Sequence, residues 1–161
     1  MDAIAILKLE HRLLLGSMAV MARSTDHERK KMIVRFKRQV EIHNFIEEGI
    51  FYEAVGARIP ESRLRLNREE RRFVEKALAD LAFQPIDAPD WIPYFNMTRG
   101  MLIRHMRGEE ETCFSRVRDG LDRSELAEIG RSLLSVKERM DAVHSALQPG
   151  VGATPSEGGR Y

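Results

Sequence analysis

The chain has 161 residues, 43% of them hydrophobic and 32% charged, with a net charge of +1. That is length for one domain with a sizeable core, and the balance gives no electrostatic surface for nucleic acid or membrane; no segment approaches the ~20 apolar residues of a membrane span. Cys113 is the single cysteine, which excludes an internal disulfide and, with no signal peptide in view, fits a cytoplasmic protein.

Apolar residues recur at helical spacing along most of the chain, and strand-like alternation is almost absent. A first helix is predicted over 2–22, with Ile4, Leu7, His11, Leu14, Met18 and Met21 on one stripe. Thr25 and Glu28 form a capping box that opens a second helix, which stops at Gly56. Its stripe reads Ile33, Phe36, Val40, His43, Glu47, Ile50 and Ala54. After a loop with Pro60, a third helix is predicted over 68–83 and a Pro-rich connection, QPIDAPDW, follows. The fourth spans 91–118, with Pro93 tolerated in its first turn and Leu102, His105, Glu109 and Thr112 in one rhythm. Asp122 and Glu125 cap a fifth helix whose seam, Leu126, Ile129, Leu133, Val136, Met140, Val143 and Leu147, has no polar intruder. Short connections between long amphipathic helices give an all-α fold, an antiparallel four-helix bundle with an additional fifth helix. The domain is expected over 1–148, and the Gly/Pro-rich 149–161 as a flexible tail.

The polar residues in the seams carry the chemistry. His43-x-x-x-Glu47 recurs as His105-x-x-x-Glu109, each pair on one helix face, and His11 stands on the first stripe. One at a time, a histidine on an apolar face is most simply a satisfied core residue, and a lone glutamate a boundary carboxylate whose head reaches water. Together, five polar groups on three inner faces each need a buried partner, at about 1–3 kcal/mol apiece if left without one. Metal ions resolve all of them at once, since neutral imidazoles and ionised carboxylates are ligands and the cation cancels the charge. Nitrogen and oxygen donors without thiolate argue against a structural zinc site and suit iron or manganese in a dinuclear centre. The order, His first at i+4, differs from the Glu-x-x-His of ferritin-like bundles. His27 and His144 lie off the stripes and read as surface residues. Glu48, Glu110 and Glu111 point away from the seam and read as solvated acids. Gly108 costs about 1 kcal/mol in mid-helix against alanine, and leaves room near the site.

On LEHRLLL around His11, EIHNFIEEGIFYEAV and LIRHMRGEEETCF, the chain resembles the haemerythrin-like (HHE cation-binding) proteins over about 3–118. Its fifth helix makes it most similar to their actinobacterial, mycobacterial branch. The resemblance implies two iron ions, oxo- or hydroxo-bridged, with manganese or zinc as poorer fits. It also implies His11, His43 and His105 as terminal ligands and Glu47 and Glu109 as bridges. In the actinobacterial branch a tyrosine nine residues after the second-helix histidine is implicated as a ligand, and Tyr52 matches it. On an ideal helix that spacing places Tyr52 half a turn off the seam; a bend would bring it back. Where the family usually carries a histidine early in helix three, EERRFVEKAL has Glu70. Glu70 reads equally as a carboxylate ligand on the stripe of Val74, Ala77 and Leu81, or as the capping-box partner of Asn67.

Such a centre binds O2, senses it, or reacts with peroxide or nitric oxide, and ligand identity does not choose among these. A carboxylate and a phenolate both favour ferric iron, so peroxide or nitric oxide decomposition is the leading expectation, and the resemblance implies the same. An iron or oxygen sensor without turnover, and a degenerate bundle without metal, are the alternatives. If the chain is an enzyme it is a di-iron oxidoreductase; no separate acid or base can be named. Cys113 reads as a buried structural thiol. The expected partners are small molecules (O2, H2O2 or NO), with neither nucleic acid nor membrane, and the expected state is a monomer or weak homodimer.

Overall fold

The computed structural model describes residues 1–147, and every regular element among them is helical. Helix α1 is Ala3–Ala22, with Asp2 at its start accepting from the Ala5 amide at 2.9 Å. Helix α2 is Asp26–Ile46, opened by the expected Thr25–Glu28 capping box, and it runs on through a π turn, Glu47–Tyr52, to Glu53–Val55. Helix α3 is Glu61–Phe83. Helix α4 is Trp91–Gly108 and likewise continues through a π turn, Glu109–Phe114, into Ser115–Gly120. Helix α5 is Arg123–Leu147, where Asp122 and Glu125 exchange the two expected capping bonds at 2.9 Å each.

The four-helix bundle with a fifth helix is as the periodicity requires: α1 to α4 pack against their neighbours, and α5 lies on α1 and α2. The fifth seam is intramolecular along its first turns, where Leu126 and Leu133 are buried and Ile129, Val136 and Met140 pack on the core. Val143 and Leu147 are exposed beyond it. The tail expected over 149–161, and the domain limit at 148, lie outside the described residues.

Helix α3 starts seven residues before the expected 68, because Pro60 both ends the preceding loop and presents a backbone ready for a first turn. Asn67 is therefore inside a helix already under way and is fully buried, so the Asn67–Glu70 capping box does not exist.

The core is divided. One apolar cluster gathers Ile4, Leu7, Ile46, Phe51, Phe114 and Leu133; the other gathers Met18, Ile33, Phe36, Leu78, Trp91 and Phe95. On α1, α2 and α4 alike, the break between the two clusters falls at the polar residues of the seams. A polar belt thus crosses the bundle with dry layers on both sides.

Candidate metal centre

The two HxxxE pairs owe their placement to one helical turn followed by a change of pitch. Within α2 and α4 the i, i+4 spacing sets His43 over Glu47 and His105 over Glu109, all four of them buried. At each glutamate the helix passes into a π turn, which inserts one residue and rotates everything after it. The ideal stripe would have buried Ala54 and Thr112; both are exposed, and Phe51, Tyr52, Val55, Cys113, Phe114 and Val117 are buried instead. The same rotation turns Tyr52 inward. It is the bend that periodicity alone could not supply.

His11 Nε2 lies 3.7 Å from both Glu47 Oε1 and Glu109 Oε2. His43 Nε2 lies 3.6 Å from Glu47 Oε2, and His105 Nε2 is 3.3 Å from Glu109 Oε2. Two groups have potential ligand atoms all within 4.8 Å of one another: His11, His43 and Glu47, and Glu47, His105 and Glu109. Both oxygens of Glu47, Oε2 of Glu109, and Nε2 of His11 and His105 are buried with no hydrogen-bond partner. Unpartnered buried polar atoms are costly, and here they converge from α1, α2 and α4 on one small volume. Imidazole nitrogen and carboxylate oxygen in this arrangement suit a divalent transition-metal ion.

The outward ring nitrogens are all engaged. Nδ1 of His11 bonds Glu110 at 2.8 Å, Nδ1 of His43 bonds Glu10 at 2.9 Å, and Nδ1 of His105 bonds Glu70 at 2.8 Å. An ionised carboxylate can only accept, so each Nδ1 carries the hydrogen and each Nε2 faces the belt, as in carboxylate–histidine–metal triads. Glu70 therefore stands behind His105 and outside both ligand groups. Glu110 is not the solvated acid that helix geometry suggested, because the π turn beginning at Glu109 carries it towards His11. Lys137 of α5 pairs with the second oxygen of Glu10, so the fifth helix reaches the centre through Glu10 and His43.

On the other side of the belt, Tyr52 donates to Glu109 Oε1 at 3.0 Å, and Arg71 Nη1 donates to the same oxygen at 3.0 Å. The Asn67 amide donates to the Tyr52 hydroxyl at 3.2 Å and to Cys113 Sγ at 3.4 Å. Phe114 stacks on the His11 ring, the centroids 5.7 Å apart. Gly108 abuts the Arg63 guanidinium, so its missing side chain accommodates α3 and not a metal.

Charges in the belt are strongly coupled. Burial pushes Glu47 up, yet His43, His11 and Arg71 outweigh it and hold the carboxyl at about 2. Burial and then the Glu47 charge push Glu109 up. His11 is pulled down by burial, but Glu110, Glu47 and Glu109 raise it to about 10. Burial, followed by the Glu109 and Glu47 charges, pushes the Tyr52 phenol well up and keeps it a hydrogen-bond donor.

Residues 2–117 match the family model described as the Hemerythrin HHE cation binding domain. The chain belongs to that family. A crystal structure of an HHE cation-binding domain-containing protein from Mycobacterium kansasii has the same fold, with a TM-score of 0.79 over 91% of each chain and 21% sequence identity. No curated protein matches. Within this HHE chain the sequence located His11, His43, Glu47, His105 and Glu109, which the fold brings together. It missed Glu10, Glu110, Arg71, Asn67 and Lys137, because each acts across a helix–helix contact that no spacing records. The one available signal was the chemistry of histidine, since every ligand imidazole needs an acceptor for its other nitrogen. No helix among the described residues is long and apolar enough to cross a membrane.

Proposed function

We propose that this HHE protein holds two iron ions in the belt and uses them to decompose peroxide or nitric oxide. His11, His43 and His105 would be terminal ligands through Nε2, Glu47 the carboxylate shared between the two ligand groups, and Glu109 a donor to the second. The observation that carries this reading is the convergence of buried ligand atoms with no partner of their own, two carboxylates among them. Iron bound there supplies one-electron redox chemistry and an affinity for O2, peroxide and nitric oxide.

The protein's own residues favour turnover over reversible carriage. Glu10, Glu70 and Glu110 each back an imidazole, which raises ligand basicity and stabilises the higher oxidation state. Glu70 contributes in this reading from behind His105. Tyr52 acts by holding Glu109 Oε1 through its hydroxyl. The two apolar clusters above and below keep bulk water out.

Iron analysis of the purified protein comes first, with about two iron per chain and an oxo-to-iron absorption band expected. Less than about one iron per chain would end the di-iron reading and leave the metal-free bundle. Oxygen evolution from peroxide and consumption of nitric oxide are then compared with His105→Ala. Loss of activity in the variant supports the site, equal activity excludes it, and iron-loaded protein without turnover points to a sensor or oxygen binder.

A further inference from the structure

Glu47 and Glu109 stand in the same belt in different company. Both oxygens of Glu47 lack a hydrogen-bond partner. Glu109 leaves only Oε2 in that condition, because its Oε1 already accepts from Tyr52 and from Arg71. Arg71 is 4% exposed, and its Nη1 is 3.7 Å from Glu47 Oε2 as well as 3.0 Å from Glu109 Oε1. A guanidinium keeps its charge at any ordinary pH. It sits closest to Glu109, whose free Oε2 is nearer to His105 Nε2, at 3.3 Å, than to His11 Nε2, at 3.7 Å.

The two ligand groups therefore differ in kind. The first offers two imidazoles and a carboxylate that accepts no hydrogen bond, with Arg71 no nearer than 3.7 Å. The second offers one imidazole and two carboxylates, one of them half engaged by a permanently charged cation that repels any dication arriving beside it. Arg71 also has somewhere to go. A cavity of about 250 Å³ beside it is lined by Glu48, Tyr52, Glu53, Leu64, Arg68 and Arg71. Arg71 Nε has no hydrogen-bond partner and lies 4.0 Å from Glu48 Oε2, on a side chain 52% exposed.

We infer that Arg71 is a displaceable counter-cation which sets the affinity of the Glu109 half of the centre. Metal fills the His11–His43–Glu47 position first. The His105–Glu109 position fills second, as Arg71 gives up Glu109 for Glu48. This inference rests on the metal reading above and adds to it the order of loading and the residue that governs it.

Anaerobic binding isotherms for ferrous iron, read by competition with a chromogenic chelator, test it on the full chain after metal removal. The wild type is expected to show two steps about tenfold or more apart. Arg71→Gln should tighten the second step by about tenfold and leave the first within about twofold, while Arg71→Lys, which keeps the charge, should preserve the gap. Glu48→Gln alters a half-exposed side chain with little risk to folding. It should weaken the second step alone by about threefold, since Arg71 loses the negative charge it moves towards. An unchanged second step in Arg71→Gln, or equal shifts in both steps, would overturn the inference and leave Arg71 a structural ion pair. An unchanged second step in Glu48→Gln overturns the displacement. Failure of every form to take up iron would instead remove the metal reading itself.

Discussion

Glu70→Gln tests whether a carboxylate behind His105 tunes the centre. The substitution keeps size and a carbonyl acceptor for the Nδ1 hydrogen and removes only the charge. The bond at stake is 2.8 Å long, on a side chain 12% exposed, and His105 is the chief cause of the lowered Glu70 pKa. A hydrogen bond to a charged group contributes about 1.5–3 kcal/mol and a neutral one about 0.5–1.5, so the difference is about 1–1.5 kcal/mol. At about 1.4 kcal/mol per decade this is a five- to twelvefold loss of affinity, at the low end of the ~10–100-fold seen for partners of ligand histidines. The assay is ferrous iron affinity by chelator competition, alongside a thermal melt of the metal-free protein. The loss should fall on one binding step, because His105 belongs to one of the two ligand groups. Glu70→Ala should lose more, since the Nδ1 hydrogen is then left without an acceptor. Affinity within about twofold of wild type, with only the melting temperature lowered, would refute the reasoning and make Glu70 a structural residue. Loss of a whole metal equivalent would make it a ligand in its own right.

Proton release offers an independent check on the belt. His11 is raised from 6.5 to about 10, so its contribution to stability is complete below pH 6.5 and is lost as pH rises towards 10. The melting temperature of the metal-free protein should fall across that window; a flat profile would place His11 outside the carboxylate cluster. Metal must displace the Nε2 proton, so iron uptake at pH 7 should release about one proton from His11 and tighten with pH, read in a weakly buffered pH-stat. Lys137→Met should weaken iron binding by roughly three- to tenfold, because Glu10 loses the cation that holds it against His43. No change would detach α5 from the centre. Gly130→Ala would bring a Cβ to 3.0 Å from the Ala3 amide nitrogen and 3.1 Å from the Met1 carbonyl oxygen. Backbone cannot yield as a side chain does, so denaturant unfolding should show a loss of about 1–3 kcal/mol. An unchanged midpoint would show that α5 can shift off the start of α1 without cost.

The bundle, the order of its helices and the five residues at the heart of the belt are legible in the sequence. They are so because helical period and i, i+4 pairing are local properties, and His11, His43, Glu47, His105 and Glu109 each interrupt an apolar stripe on their own helix. The start of α3 was misplaced because Asn67 and Glu70 have capping chemistry at capping spacing, and only packing shows Asn67 buried in mid-helix. The stripe beyond Glu47 and Glu109 was misread because a π turn leaves no mark in residue type. It forms where closing the belt and burying Phe51, Tyr52, Cys113 and Phe114 outweigh regular α geometry. Tertiary structure alone decided which carboxylate backs which histidine, that Tyr52 faces Glu109, and that Arg71 stands between the centre and its cavity. Those are contacts between helices, and their energies depend on distances that a linear order of residues does not contain.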